Sequence, residues 1–170
     1  MKSLITGLLF VGLTSLGVAQ NNGIEQVELS EVNVTPLNLT YLNTVQDTDT
    51  PEKVKELENV ASRYDVTESP VFNKKFEAYE VIFKETDGKI VATYDQNGKI
   101  LSSMERFSNV VLPTKVRNAI YESYPGWNLH KDTYLVSYYV DRDVKKIFKI
   151  QLRKDRERKN LKVDVDGNII

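Results

Sequence analysis

The sequence of 170 residues contains no cysteine and a single histidine, His130. The absence of cysteine excludes disulfide scaffolds, Cys-ligated zinc, iron–sulfur clusters and thiol catalysis in this chain. One histidine excludes a site with several His ligands, and any Ser-His-Asp triad would depend on His130 alone. Glycine and proline are few, at 8 and 5 residues, so the chain is not collagen-like. With 41% hydrophobic and 28% charged residues, the composition is typical of one globular domain.

Motifs for phosphate, acyl or calcium chemistry are missing as well. No G-x-x-x-x-G-K-[ST], G-x-G-x-x-G or G-x-S-x-G run is present. Residues 95–98 and 164–167 resemble the start of a calcium loop, but neither has the flanking carboxylates that an EF-hand requires. We therefore interpret both as hairpin turns, and we expect no catalytic residue, no metal site, no cofactor and no enzyme activity. The alternative, a periplasmic enzyme of unknown type, would need His130 beside a carboxylate in a cleft, and no motif favours it.

The N-terminus holds the only long uncharged apolar run. Lys2 precedes residues 4–16, which carry no charge, and small residues at 17–19 precede a polar segment. This order is typical of a cleavable signal peptide, and the run is shorter than the ~20 apolar residues that span a membrane. We expect cleavage after Ala19, export to the periplasm or the cell exterior, and no transmembrane anchor in the mature chain.

The remaining sequence predicts a lead-in segment over residues 20–48, which alternating apolar residues indicate to be extended across 24–45. A helix follows that begins at Pro51 and stops before Pro70, and a second helix begins at Pro113. The predicted strands, three after each helix, are residues 76–84, 89–94, 99–105, 133–140, 146–153 and 161–165.

The order of elements is a helix and three strands, repeated. The first unit covers about residues 49–107 and the second about 111–170. Tight turns between successive strands favour antiparallel pairing, and helices that pack on such a sheet give a layered fold. The sequence thus predicts an α+β domain over residues 49–170, with helices on one face of an antiparallel sheet and the other face open.

Alternation along the strands assigns residues to the two faces. In the second unit the apolar set, predicted to be core, is Tyr134, Val136, Tyr138, Val140, Phe148, Ile150, Leu152, Leu161, Val163 and Val165. The opposite set in that unit is Leu135, Ser137, Tyr139, Ile147, Lys149, Gln151, Arg153, Lys162 and Asp164. In the first unit the predicted outward set includes Lys89, Val91, Thr93, Leu101, Ser103 and Glu105.

The predicted open face is polar with a few apolar and aromatic residues, as surfaces that dock proteins are. The candidate partner-binding residues on it are Val91, Leu101, Leu135, Tyr139, Lys149, Gln151 and Lys162. We expect their partner to be a protein of the cell envelope.

Charge is distributed unevenly along the chain. The stretch from Lys145 to Lys162 holds nine Lys or Arg and two acidic residues, whereas residues 20–70 hold ten acidic and three basic residues. An alternative site for an anionic glycan or lipid is therefore the basic hairpin, with Arg153, Lys154, Arg156, Arg158 and Lys159. Residues 153–159 also include two acidic side chains, and a solvent-exposed turn without a ligand would show the same mixture of charges. The stretch lacks the interleaved aromatics of a single-strand binder, so we expect no nucleic-acid ligand.

Three short motifs point to a family. The turn D-Q-N-G-K at 95–99, L-P at 112–113 and Y-P-G-W at 124–127 resemble the PepSY-like, β-lactamase-inhibitor-like domains of small exported bacterial proteins. The resemblance covers roughly residues 50–170. It implies a tandem helix-plus-sheet fold in the periplasm or at the cell surface, without catalytic residues, and relatives in fold that inhibit or bind proteins through the open sheet face.

Overall fold

The computed structural model describes residues 37–170. The predicted signal peptide and the lead-in up to residue 36 lie outside the described residues. The helices are α1 (Leu39–Val45), α2 (Glu52–Arg63) and α3 (Thr114–Ser123), with a short 3-10 turn at Val66–Glu68. The strands are β1 (Ala78–Lys84), β2 (Gly88–Asp95), β3 (Ile100–Ser108), β4 (Asn128–Tyr139), β5 (Lys145–Lys154) and β6 (Glu157–Asp164). Within this part of the chain, no helix has the length and apolar character needed to cross a membrane.

The six strands form one antiparallel sheet in the order β1-β2-β3-β4-β5-β6. Each strand pairs with its neighbour in sequence, as short turns between strands require. Helix α2 precedes the first three strands and α3 precedes the last three, so the predicted order of a helix and three strands, twice, is confirmed. The predicted α+β fold with an open sheet face is confirmed with it.

The core lies between the sheet and the helices. Every second residue of each strand points into it, and Tyr134 stacks on its cross-strand partner Phe148 with ring centroids 4.4 Å apart. The helices close the core from one side with Tyr41, Val45, Val54, Leu57, Ala61, Val116 and Ile120. The alternation predicted for the second unit holds, except that Val140 ends beyond β4 and is 46% exposed, and Val165 is only partly buried.

The extended prediction for the lead-in is wrong over residues 37–45. Tyr41, Leu42 and Val45 fall on one side of a helical turn, and that side is buried. Asn38 fixes the start of this helix: its side-chain oxygen accepts from the Ile100 amide at 2.7 Å and its amide donates to the Gly98 carbonyl at 3.0 Å. Packing of this apolar side in the core therefore stabilises a helix, although the alternation of apolar residues predicted an extended segment.

The hairpin between β5 and β6 is tighter than predicted. We expected a turn over residues 155–160, but β6 begins at Glu157 and Asp155 adopts a left-handed φ of 51°. Asp tolerates this conformation, which a two-residue hairpin turn needs. The strand pairing therefore runs to Lys154 and Glu157 at the tip of the hairpin.

The two Asp-Gly segments are turns of one design, as predicted. The Asp95 carboxylate accepts from the amides of Asn97 and Lys99 at 2.8 and 2.9 Å, and the Asp164 carboxylate accepts from those of Asp166 and Asn168 at 3.0 and 2.9 Å. The glycines of both turns, at 98 and 167, have positive φ. Each carboxylate closes its turn by binding the backbone.

Candidate functional site

The face of the sheet away from the helices carries no covering element among residues 37–170. We call it the open face. Its residues follow from the strand registers and alternate with the buried ones. They are Ala78, Glu80, Ile82, Lys84, Lys89, Val91, Thr93, Asp95, Ser102, Met104, Arg106, Ser108, Asn128, Lys131, Thr133, Leu135, Ser137, Tyr139, Lys145, Ile147, Lys149, Gln151, Arg153, Arg158, Asn160, Lys162 and Asp164.

Apolar side chains cross the open face obliquely. Ile82, Val91 and Met104 are cross-strand partners in one row, and Leu135 pairs with Ile147 in the next. We call these five residues the apolar diagonal. Ile82 is 54% exposed and Met104 is 51% exposed. Contiguous apolar side chains on a solvated sheet face mark interaction surfaces, because isolated globular domains expose few such patches.

Tyr139 extends the apolar diagonal at one end. Its hydroxyl donates to the Met104 sulfur at 3.7 Å, and the guanidinium of Arg142 lies 5.3 Å from its ring centroid. Both contacts hold the exposed ring in place. A ring with an apolar body and a fixed polar tip is suited to a protein interface.

Cations stand directly opposite one another on the open face. Lys84 pairs with Lys89, and Lys89 pairs with Arg106 on its other side. Two further pairs join β5 to β6, namely Lys149 with Lys162 and Arg153 with Arg158. Like charges directly across a sheet are destabilising, so these four pairs raise the free energy of the isolated protein.

The salt bridges of residues 37–170 do not relieve this repulsion. Three are formed, and their cations are Lys53, Lys115 and Lys146, none of which is on the open face. Glu80, Asp95 and Asp164 are the acidic residues that the register places on the open face, and the carboxylates of the last two accept from amides of their own turns. The basic residues of the open face are therefore available to an anionic partner.

A groove of about 540 Å³ occupies the corner of the open face formed by β4, β5 and β6. Its polar lining consists of Lys131, Thr133, Lys149, Gln151, Asn160 and Lys162. The Gln151 amide donates to the Asn160 side-chain oxygen at 3.1 Å, which leaves the Asn160 amide nitrogen as a donor. No Asp or Glu side chain lines this groove. Such a set of donors suits oxyanions.

The structure brings together most of the predicted partner-binding residues. Val91, Leu135, Tyr139, Lys149, Gln151 and Lys162 all lie on the open face. Leu101 differs, because it is the extra residue of a β-bulge: Tyr94 pairs with Ile100 and Thr93 with Ser102. The predicted partner-binding set did not include Ile82, Met104 or Ile147, although the alternation had already assigned Ile147 to the open face.

The basic hairpin divides its charges between the two faces. Arg153 and Arg158 lie on the open face, whereas Lys154 pairs with Glu157 on the other face. Lys159 also lies on that other face, with its ammonium 4.8 Å from the Tyr124 ring and 5.4 Å from the Trp127 ring. Arg156 is in the turn. The five predicted cations do not form a single surface.

Beneath the sheet, the structure corrects the prediction for two residues of β3. Ser103 and Glu105 were expected to point outward, but they are 0% and 3% exposed and face the helices. The bulge at Leu101 shifts the alternation by one residue along β3. Phe107, an obvious core residue, has the same parity as Glu105 and could have shown this.

Glu105 lies beside a second buried carboxyl, that of Glu58 on α2. The hydroxyls of Tyr41 and Ser103 donate to one oxygen of Glu105 at 2.8 and 2.6 Å. Burial, together with the charge of Glu105, raises the pKa of Glu58 to about 9. Burial also raises the pKa of Glu105, although the two hydroxyls partly oppose this. At neutral pH the pair therefore holds at least one proton.

Lys146 bounds this buried pair on β5. Its side chain is only 8% exposed and forms a salt bridge with Asp47, in the loop between α1 and α2. Burial acts to raise the pKa of Asp47, but the hydrogen bond and charge of Lys146 outweigh it and the pKa is lowered. The ion pair ties the helical layer to the sheet.

Two comparisons with known proteins give no relative. A scan against models of protein families finds no match, and no curated protein matches the chain. The resemblance to PepSY-like domains stays a prediction, and the function is argued from the geometry.

His130, the one histidine, lies at a bulge in β4 and is exposed. Slight desolvation and the positive charges of Arg153, Lys131 and Arg158 lower the pKa of His130. A general base in a triad needs an acidic partner to orient it, and the groups that shift the pKa of His130 are all cationic.

Proposed function

We propose that the chain is a non-enzymatic, exported binding module whose open face docks a protein partner in the cell envelope. One observation carries this proposal: the apolar diagonal, with Ile82 and Met104 exposed, borders cations that have no salt-bridge partner within residues 37–170. A partner surface with apolar side chains among carboxylates would complement both features.

The energetics of the open face favour a bound state. Docking would remove the apolar diagonal from water, at roughly 25 cal/mol for each Å² buried. Carboxylates of the partner would also replace repulsion between Lys84, Lys89 and Arg106 with attraction. The free protein therefore carries costs that an acidic partner removes.

Export and family membership are part of the same proposal. The signal-like N-terminus supports delivery to the periplasm or the cell exterior. The motifs at 95–99, 112–113 and 124–127 support a place among PepSY-like domains, whose relatives in fold bind proteins through the sheet.

The test is affinity capture from envelope extract with the mature chain and two matched variants. The variant Met104→Ser/Leu135→Ser removes apolar groups from the open face. The control Val71→Ser/Val111→Ser removes apolar groups exposed elsewhere, at 73% and 80% exposure. We expect a partner that the wild type and the control retain and that the open-face variant loses by about tenfold or more. A partner retained equally by the open-face variant would overturn the proposal.

A second candidate function is binding of an anionic glycan or lipid by the basic hairpin. The unrelieved pair Arg153 and Arg158 favours it. In that case, Arg153→Glu/Arg158→Glu would abolish binding to an acidic polysaccharide, while Met104→Ser/Leu135→Ser would leave it intact. Binding would also weaken steeply as ionic strength rises.

A further inference from the structure

The cations of β5 and β6 form a track along the strands. Three rows of the open face follow one another at two-residue steps: Lys149 with Lys162, Gln151 with Asn160, and Arg153 with Arg158. Lys131 on β4 is the partner of Gln151 and adds a cation to the middle row. We call these residues the cation track. Because a strand rises about 3.3 Å per residue, the rows lie roughly 6.6 Å apart.

We propose that the cation track binds an extended acidic polypeptide segment that carries a carboxylate at every second residue. This inference rests on the proposed function and specifies which part of the partner is recognised. In an extended chain, side chains on one side recur every two residues, also at roughly 6.6 Å. Such a segment lying along β5 and β6 would place one carboxylate at each row.

The hydrogen-bonding groups of the track agree with this ligand. The groove offers ammonium groups together with the Thr133 hydroxyl and the Asn160 amide. At the far row, the Nε atom of Arg153 is screened from solvent and has no hydrogen-bond partner in residues 37–170. Nε itself is out of reach of a ligand, so an incoming carboxylate would bind the terminal nitrogens of this guanidinium.

The shape of the site favours a narrow chain over a membrane. Two of the three rows, with Lys149, Lys162, Gln151, Asn160 and Lys131, line a concave groove, which a single extended polypeptide can follow more closely than a flat layer of headgroups can. The track also adjoins the apolar diagonal, since Ile147 is two residues from Lys149 on the same side of β5. One protein partner can therefore contact both.

Two synthetic peptides of equal charge test the spacing. One alternates Glu and Thr through ten residues, and the other is Glu-Glu-Thr-Thr-Glu-Glu-Thr-Thr-Glu-Thr, in which Glu recurs on one side only at every fourth residue. We expect the mature chain to bind the alternating peptide about threefold more tightly, because the second peptide aligns fewer carboxylates with the three rows and each exposed ion pair contributes little. Titration calorimetry at low ionic strength measures both.

Charge reversal tests the location. We expect Lys149→Glu/Lys162→Glu to weaken binding of the alternating peptide by about tenfold. The matched control Lys75→Glu/Arg117→Glu changes two exposed cations elsewhere in the domain and should leave binding within about twofold. Circular dichroism of each variant verifies that it is folded.

Three outcomes would overturn the inference: equal affinity for the two peptides, equal loss in the control variant, or tighter binding of phosphatidylglycerol vesicles than of the alternating peptide. The capture experiment separates this failure from failure of the proposed function. A partner lost with Met104→Ser/Leu135→Ser but retained with Lys149→Glu/Lys162→Glu would uphold open-face docking and reject the track.

Discussion

The same six strands form both faces of the sheet, but one face is buried against the helices and the other is exposed to solvent. Phe148 and Lys149 are neighbours on β5, yet one is stacked on Tyr134 in the core and the other faces its like-charged partner Lys162 in solvent. The buried face carries carboxyls that hold a proton, whereas the open face carries cations without a salt bridge. The buried face specifies the fold, and the open face carries like-charge pairs that lower its stability.

The largest expected effect comes from comparing these neighbours directly. Phe148→Ala removes a fully buried ring, and we expect it to lower the free energy of unfolding by about 4 kcal/mol. Lys149→Ala should change it by less than about 0.5 kcal/mol, because its side chain is exposed. Urea denaturation measures both. A similar loss for the two variants would contradict the assignment of faces.

The buried carboxyl pair predicts an unusual pH dependence. Folding raises the pKa of Glu58 from 4.5 to about 9, so the folded chain keeps a proton that the unfolded chain releases. The stabilisation is therefore complete below pH 4.5 and declines as pH rises toward about 9. We expect the free energy of unfolding to fall by about 2–3 kcal/mol between roughly pH 5 and 7 from this group.

Two glutamates of α2 make a matched test. Glu58→Gln keeps the shape without an ionisable group, so it should be more stable than wild type at pH 7, by about 3 kcal/mol, and lose most of the pH slope. Glu56→Gln alters an exposed carboxyl on the same helix and should retain the slope. If both variants kept the wild-type slope, another group would be responsible for it.

The smallest expected effect concerns the open face. Lys149→Glu converts its repulsion with Lys162 into attraction, so we expect the protein to become more stable by about 0.5 kcal/mol. The same change should weaken binding of the alternating peptide. Chemical denaturation at low and at high salt provides the check, because screening should remove the gain. A loss of stability would show that the like-charge pairs carry no cost.

The sequence could predict the sheet because two of its signals are local: apolar residues recur at every second position of a strand, and turn residues separate the strands. The hairpin turns at 95–98 and 164–167 and the inward set around Tyr134 were correct for this reason. The bulge at Leu101 was not predictable from alternation, which assumes an unbroken register. The Glu58–Glu105 pair joins residues on different elements. It was not predicted, because the alternation without the bulge placed Glu105 on the outward side. Helix α1 was missed because its stability comes from tertiary packing.

The sequence could predict which residues lie on the open face better than it could predict which of them are cross-strand partners. Lys149, Lys162 and Val91 were assigned to it by parity alone. Which cations stand opposite one another depends on strand register, and that emerges only from the folded sheet. The splitting of the basic hairpin between two faces has the same cause, because six residues of predicted turn proved to be mostly strand.

The sequential order of the strands bears on how quickly the chain folds. Every strand pairs with the strand before it, and all these pairings except that of β3 with β4, whose connection contains α3, close a short loop and cost little chain entropy. Topologies rich in such near-neighbour contacts fold faster than sheets with crossing connections. The meander can therefore form one hairpin arm at a time, a route that needs no disulfide.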